Sequence, residues 1–298
     1  MGDFMRKLLV TDIDGTITHL PHHLPPQVLN TLTQAYQSGW ELFFLTGRYF
    51  FYAQQLFTSL QVPYLLGCQN GVCVWLSEQE KFLYFQGISR DVLPILEKYV
   101  EDSPVVFCIE SGVIHNDQYY RFASPHENHL LKRLDSVYFP TSKDRSRLVE
   151  MNKISQDYPY DLLAVAKVFG RKNDIEELYR KIQGTTELVS RLNINLMRWP
   201  FDFEYALLFM TEKSVSKGYA VDRVVHMLYE GDKPFIIASG DDVNDIDLLE
   251  RGDFKIVMNT SPKHMHGLAD FLASPAKDLG ILPAWEAGMG KYSSLQNS

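Results

Sequence analysis

The chain has 298 residues, of which 45% are hydrophobic and 22% are charged, so it can bury a core as one large domain or two ordinary ones. Its net charge of −8 argues against a nucleic-acid or anionic-membrane partner held by bulk charge. Three cysteines cannot build a disulfide framework, and no apolar run reaches membrane-spanning length. We therefore expect a cytoplasmic protein in which Cys68 and Cys73 are buried thiols.

The first ninety residues alternate strand and helix signals. The apolar run Leu8-Leu9-Val10 predicts a buried strand over 7–11, and Pro25-Pro26 opens a helix that Gly39 ends. The predicted elements that follow are a strand over 41–45, a helix over 50–60, a strand over 64–66 and a hairpin of strands over 72–76 and 81–85. Strand–helix alternation of this kind is typical of a parallel sheet with crossover helices.

The middle of the chain, residues 86–211, is less regular. Its predicted strands cover 105–110, 119–122, 162–169, 192–199 and 205–210, and its predicted helices cover 92–100 and 174–183. Alternation then resumes with a helix over 217–229 capped by Ser214 or Ser216, a strand over 235–239, a helix over 245–250, a strand over 255–258 and a helix over 262–271. We predict an α/β protein: a doubly wound parallel-sheet core, 1–85 and 212–298, with an inserted α+β domain, 86–211.

Reactive side chains follow predicted strands or open a predicted helix. They are Asp12 and Asp14 after the first strand, Thr46 and Gly47 after the second, Lys217 at the start of a helix, and Asp241 and Asp245 after the strand over 235–239. Because the carboxyl ends of parallel strands meet at one edge of a sheet, we expect these side chains to converge. Several carboxylates beside a lysine suit a Mg²⁺ site next to a phosphate.

Such a set could transfer a phosphoryl group. A carboxylate can attack phosphorus when Mg²⁺ and an ammonium group neutralise the repulsion between the two anions. The hydroxyl and backbone N–H groups at Thr46-Gly47 could hold phosphoryl oxygens, and Asp14 could protonate the leaving alcohol and then deprotonate water.

Arg48 has two interpretations, a phosphate contact or a structural salt bridge. A calcium loop starting at Asp241 is excluded, because its twelfth position is Gly252 rather than glutamate.

Four segments, 12–16, 45–48, 217–218 and 240–245, resemble the four motifs of the haloacid dehalogenase superfamily, in the same order. Asn70-Gly71, 214–218 and 256–259 are similar to the Cof-like and sucrose-phosphatase-like branch of that superfamily. This branch carries a type IIB cap domain between the second and third motifs, where this chain has 86–211. The resemblance is strong over both core segments, and over the cap it rests on position and length.

The resemblance implies a role for each matched residue. Asp12 would be the nucleophile and Asp14 the general acid/base, while Thr46, Gly47, Lys217 and Asn244 would bind the phosphoryl group. The Asp12 carboxylate, the Asp14 backbone carbonyl and the Asp241 carboxylate would hold Mg²⁺, with Asp245 as a further ligand or a supporting partner. The implied activity is hydrolysis of a small phosphorylated metabolite, such as a sugar phosphate, through an aspartyl-phosphate. The net charge and the lack of a long apolar run lead us to expect no nucleic-acid or membrane partner.

Two alternatives stay open at this point, along with the oligomeric state. One is a phosphomutase of the phosphomannomutase type, which shares the type IIB cap and a similar first motif. The other is a metabolite-binding protein that keeps the fold without turnover. Four charged residues lie on or beside predicted cap strands, and the sequence favours a solvated position on the sheet face over a substrate contact for each of them: Arg121, Lys167, Arg191 and Arg198. The sequence does not show which face of the cap sheet looks toward the catalytic edge.

Overall fold

The computed structural model describes residues 5–101, 103–123, 128–199, 202, 204–230 and 232–296. Its strands are β1 (Lys7–Asp12), β2 (Trp40–Leu45), β3 (Leu65–Cys68), β4 (Cys73–Leu76), β5 (Lys81–Phe85), β6 (Ile88–Ser89), β7 (Val106–Glu110), β8 (Tyr119–Ala123), β9 (Leu148–Glu150), β10 (Leu162–Leu163), β11 (Val165–Arg171), β12 (Leu192–Arg198), β13 (Tyr205–Glu212), β14 (Phe235–Gly240), β15 (Phe254–Met258) and β16 (Phe271–Ala273).

Its α-helices are α1 (Pro26–Gln37), α2 (Phe50–Gln54), α3 (Leu93–Val100), α4 (Asn128–Tyr138), α5 (Ser142–Arg145), α6 (Ile154–Asp157), α7 (Lys172–Gln183), α8 (Thr186–Val189), α9 (Lys217–Leu228), α10 (Ile246–Arg251) and α11 (Ile281–Gln296). The chain forms two compact units. The first runs up to Tyr84 and resumes at Ser216, and the second covers Phe85–Val215.

The first unit is built on an eight-stranded sheet in the order β16-β15-β14-β1-β2-β3-β4-β5. The six strands from β16 to β3 are parallel, and β4 returns antiparallel to β3. The central strand β1 is buried on both faces, which explains its unbroken apolar sequence. The predicted doubly wound α/β core is confirmed.

Helix boundaries in this unit follow local sequence signals. Pro26 occupies the first turn of α1, where its missing N–H leaves no intrahelical bond unmade. The Ser216 hydroxyl accepts a hydrogen bond from the Tyr219 N–H and so caps α9, which decides between the two predicted caps. Buried side chains of α9, among them Val221 and Val224, pack into one apolar cluster with Val10 of β1.

The second unit contains a six-stranded sheet in the order β12-β13-β11-β7-β8-β9 and a separate two-stranded pair, β6 with β10. In the large sheet β8 and β9 are parallel and the other neighbours are antiparallel. One apolar cluster joins this sheet to the apolar faces of α3 and α7, through residues such as Leu96, Phe107 and Ile175. This is the mixed α+β composition that the sequence predicts.

Several predicted elements differ from the structure. The helix predicted over 50–60 ends at Gln54, and a 3₁₀ turn over Gln55–Phe57 follows it. The Phe57 ring stacks on the Phe44 ring there, with 4.3 Å between the ring centres. The strand over 162–169 divides at Ala164, because Leu162–Leu163 pairs with β6 while Val165–Arg171 pairs with β7 and β13.

The predicted helix over 262–271 is also wrong. It is a 3₁₀ segment, Lys263–Leu268, followed by β16, whose pairing with β15 extends the sheet. The helices α4 and α11 were missed. Cys68 and Cys73 are buried thiols, as predicted, and Cys108 is buried as well. Across the described residues, every helix falls short of the length and apolar character needed to cross a membrane.

Candidate active site

The candidate active site lies at one edge of the parallel sheet. Strands β14, β1 and β2 are neighbours, and Asp12, the last residue of β1, stands in register with Leu45, the last residue of β2. Asp241 follows β14 in the same direction. The strand ends therefore bring Asp12, Thr46 and Asp241 to one edge, as the sequence predicts from topology.

A buried lysine joins two of the carboxylates. The Lys217 Nζ lies 2.5 Å from Asp12 Oδ1 and 2.5 Å from Asp245 Oδ1. All three side chains are almost completely excluded from solvent. The second oxygen of Asp12 accepts a hydrogen bond from Thr16 Oγ1 at 2.9 Å. Asp12 is thus fixed through both of its carboxylate oxygens.

Three carboxylates are close enough to bind one cation. Asp12, Asp241 and Asp245 each offer an oxygen, and these oxygens lie within 4.8 Å of one another. Burial raises the pKa of Asp12, and the negative charges of Asp245 and Asp14 add to this while Lys217 opposes it. Burial also raises the pKa of Asp241, with Asp12 and Asp245 as further causes. An oxygen-rich set with more negative charge than one ammonium can neutralise suits a divalent cation such as Mg²⁺.

Lys217 keeps its charge in this setting. Burial alone would lower the pKa of the ammonium group, but the Asp12 and Asp245 carboxylates raise it above its ordinary value. A permanent positive charge therefore stands beside the Asp12 oxygen, where it can offset the charge of an incoming anion.

Two glycines make room for the acidic groups. Gly15 has φ +86°, and a Cβ built there would lie 2.2 Å from Asp241 Oδ2. A Cβ at Gly240 would lie 2.4 Å from the Asp245 Cβ. Asp245 is held in turn by the backbone N–H groups of Asp241 and Asp242, which donate to its Oδ2 at 2.9 and 3.1 Å. Asp245 thus binds Lys217 with one oxygen and shapes the β14–α10 turn with the other.

Asp14 lies outside the carboxylate cluster. Its side chain is 43% exposed, and Arg48 pairs with both carboxylate oxygens, Nη2 with Oδ1 and Nε with Oδ2 at 2.8 Å. Thr46 Oγ1 makes a longer contact of 3.4 Å with Oδ2. The salt-bridge interpretation of Arg48 is therefore the one the structure shows. The Asp14 backbone carbonyl as a metal ligand stays a prediction.

Arg48 is itself held on several sides. Its Nη1 donates to the Pro21 carbonyl at 2.7 Å, and its guanidinium carbon lies 4.5 Å from the centre of the Tyr52 ring. Burial would lower the pKa of Arg48, but Asp14 raises it above its ordinary value. Sequence reasoning missed the pairing with Asp14, because the two residues are 34 positions apart and only the β1–β2 register brings them together.

The remaining predicted phosphate ligands lie in adjacent turns. Thr46 is buried and Gly47 half-buried directly after β2. The Thr46 hydroxyl accepts from the Arg48 N–H at 3.1 Å. Asn244 is half-buried, and its Nδ2 donates to Asn70 Oδ1 at 3.2 Å. The sequence highlighted Asn70-Gly71 only as part of a resemblance, with no role assigned.

A model of the haloacid dehalogenase-like hydrolase family matches residues 9–284. The chain belongs to this family. Among curated proteins it is 25% identical over 289 residues to a Streptococcus pyogenes protein to which a bifunctional phosphatase/peptidyl-prolyl cis-trans isomerase function is attributed. The match covers 94% of this chain and 53% of that protein, so the chain spans about half the length of this relative.

Solved structures share the fold of this haloacid dehalogenase-like hydrolase over nearly its whole length. A haloacid dehalogenase-like hydrolase from Bacteroides thetaiotaomicron is 17% identical with a TM-score of 0.73, covering 95% of this chain and 99% of that one. One from B. subtilis is 20% identical with a TM-score of 0.70, covering 93% and 97%. The subclass IIB sugar phosphatase BT4131 is 17% identical with a TM-score of 0.69, covering 94% and 98%.

The charged candidates of the second unit fall into different environments. Arg121 is buried and pairs with Asp135 and Glu150, while Lys167 is buried and pairs with Glu110. Arg191 forms half-exposed ion pairs, and Arg198 is exposed. Arg121 and Lys167 are therefore committed to ion pairs inside the second unit.

Proposed function

We propose that this hydrolase is a Mg²⁺-dependent phosphatase that acts on a small phosphorylated metabolite, such as a sugar phosphate, through an aspartyl-phosphate. The observation that carries the proposal is the contact of Lys217 Nζ with one oxygen of Asp12, 2.5 Å away, inside a cluster of three carboxylates. Family membership supports hydrolysis, and the names of the Streptococcus relative and of BT4131 favour a phosphate ester as the substrate.

The first step would transfer the phosphoryl group to Asp12. An oxygen of its carboxylate attacks phosphorus, the bond from phosphorus to the ester oxygen breaks, and Asp14 gives its proton to the leaving alcohol. Lys217 and the donors at Thr46-Gly47 would hold the charged phosphoryl oxygens. Mg²⁺, held by Asp12, Asp241 and Asp245, would neutralise the negative charge shared by the carboxylates and the phosphate.

The second step would release phosphate. Asp14 takes a proton from water, the water oxygen attacks phosphorus, and the Asp12 carboxylate leaves. The two contacts from Arg48 hold the Asp14 carboxylate in one orientation. Its exposed position leaves it free to reach solvent water, whereas the enclosed Asp12 is shielded from it.

A phosphate-release screen tests this function. The purified protein with Mg²⁺ is assayed against sugar phosphates, nucleotides and cofactor precursors, with chelator-treated protein as the control. Release that depends on Mg²⁺ supports the proposal. Transfer between positions of a sugar that requires a bisphosphate activator would indicate a mutase, and no release from any ester would favour a metabolite-binding protein.

A further inference from the structure

The turn between β3 and β4 has an unusual backbone. Gln69, Asn70 and Gly71 have φ of +54°, +58° and +98°, so three consecutive residues adopt the left-handed region. For the two that are not glycine this conformation costs roughly 1 kcal/mol or more each. A Cβ at Gly71 would lie 2.5 Å from the Ser216 carbonyl oxygen, so glycine is required where the turn meets the start of α9.

This 69–71 turn contacts several segments of the candidate active site. The Gln69 N–H donates to the Arg48 carbonyl at 2.9 Å, and the Asn70 N–H donates to the Thr46 carbonyl at 2.8 Å. The Asn70 side chain accepts from Asn244 Nδ2 at 3.2 Å. Asn70 therefore joins the turn after β2 to the turn after β14.

Glycine would suit position 70 better on grounds of stability alone. It adopts φ +58° without a Cβ penalty. The asparagine instead buries an amide whose Nδ2 has no hydrogen-bond partner within the described part of the chain. An unpartnered buried donor is costly. What the Asn70 side chain provides in return is its contact with Asn244.

We propose that Asn70 is a positioning residue that orients the Asn244 amide toward the phosphoryl group of the substrate. This inference rests on the proposed function. Asn70 is only 3% exposed and so acts through its half-buried neighbour rather than on the substrate. An amide NH₂ has two donors, and the bond to Asn70 fixes one of them, which leaves the second of Asn244 for a phosphoryl oxygen.

A double-mutant cycle tests this role, with Asn70→Gly, Asn244→Ala and the double variant compared with the wild type. Asn70→Gly keeps the backbone conformation and removes the amide. Loss of one positioning hydrogen bond should raise the KM for the phosphate ester, and the inhibition constant of inorganic phosphate, by about 3- to 10-fold. The kcat should stay within about twofold. The double variant should match Asn244→Ala, because both changes remove the same interaction.

A second variant separates positioning from folding. Asn70→Ala removes the same amide but places a Cβ at positive φ, so it should lower the melting temperature while raising KM as much as Asn70→Gly does. Asn116→Gly is the matched control, since Asn116 is an exposed asparagine of the second unit with the same φ of +58°. It should leave KM unchanged.

The outcomes separate this inference from the proposed function. If the wild type releases no phosphate from any ester, the proposed function fails. If the wild type is active and Asn70→Gly keeps the wild-type KM, or its effect adds fully to that of Asn244→Ala, the role of Asn70 is overturned.

Discussion

Replacing Arg48 with methionine should weaken catalysis by releasing Asp14. The Arg48 side chain is only 6% exposed, and methionine retains most of its apolar stem while removing the guanidinium. Asp14 then loses both hydrogen bonds from Arg48 and keeps the longer contact with Thr46, while the Pro21 carbonyl loses its donor at 2.7 Å. The Asp14 carboxylate, at 43% exposure, can exchange these bonds for water, but its orientation is no longer fixed.

The size of the effect follows from those contacts. Hydrogen bonds to a charged group contribute roughly 1.5 to 3 kcal/mol, and the exposure of Asp14 places the loss near the lower end. A loss of about 1.4 kcal/mol corresponds to about a tenfold decrease in kcat/KM. The decrease should be larger for an alkyl phosphate than for an aryl phosphate, because a poor leaving group depends more on protonation by Asp14.

The assay compares phosphate release from an alkyl and an aryl ester. Arg6→Met is the matched control, because Arg6 also pairs with a carboxylate, that of Glu41, and stacks on an aromatic ring, but lies just before the opposite end of β1. It should keep the wild-type rates. Wild-type activity of Arg48→Met toward the alkyl ester, or equal losses with both esters, would refute the positioning of Asp14 by Arg48.

Three further predictions, two substitutions and one test of thiol reactivity, have defined outcomes. Gly15→Ala places a Cβ 2.2 Å from Asp241 Oδ2 at φ +86°, so the Mg²⁺ concentration that gives half-maximal activity should rise by about tenfold or more. Gly267→Ala is the control, because the Cβ added there meets open space. Equal Mg²⁺ dependence in the two variants would contradict this prediction. Lys217→Met leaves the buried carboxylates of Asp12 and Asp245 without their positive partner. The free energy of unfolding measured in urea should therefore fall by roughly 3–5 kcal/mol, and phosphate release should be lost. Unchanged stability would contradict the buried ion pairs. Burial raises the pKa of Cys108 to about 12, so this thiol should stay protonated and unreactive toward iodoacetamide at pH 8 until the protein is denatured. Rapid alkylation of Cys108 in the native protein would contradict this prediction, because it would show that the thiol is accessible.

The sequence predicted the groups at the sheet edge because their placement follows from chain order and strand direction. Asp12 ends one apolar strand and Asp241 directly follows another, and neighbouring parallel strands bring such residues together. Lys217 could be placed at a helix start from two candidate caps, Ser214 and Ser216, of which the structure uses Ser216. Its contact with Asp12 spans 205 positions and follows only from the packing of α9 on the sheet.

Side-chain pairing and irregular elements were harder to predict. The pairing of Arg48 with Asp14 depends on strand register, which no local pattern reports. The helix α11 was missed because it contains Gly288 and Gly290 and has little apolar periodicity. A Cβ at Gly288 would lie 2.8 Å from Ile237, so close packing on β14 rather than helix propensity explains that glycine.

The nucleophilic role of Asp12 is tested most directly by the variant Asp12→Asn. Its rate of phosphate release is compared with that of the wild type, on the ester that the wild type hydrolyses fastest in the phosphate-release screen. The amide keeps the shape of the side chain but is a poor nucleophile, so the rate should fall by roughly a thousandfold or more. The melting temperature should not fall with it, since the change removes one of three clustered negative charges. A folded Asp12→Asn variant that turns over within about tenfold of the wild-type rate would contradict an aspartyl-phosphate at this position.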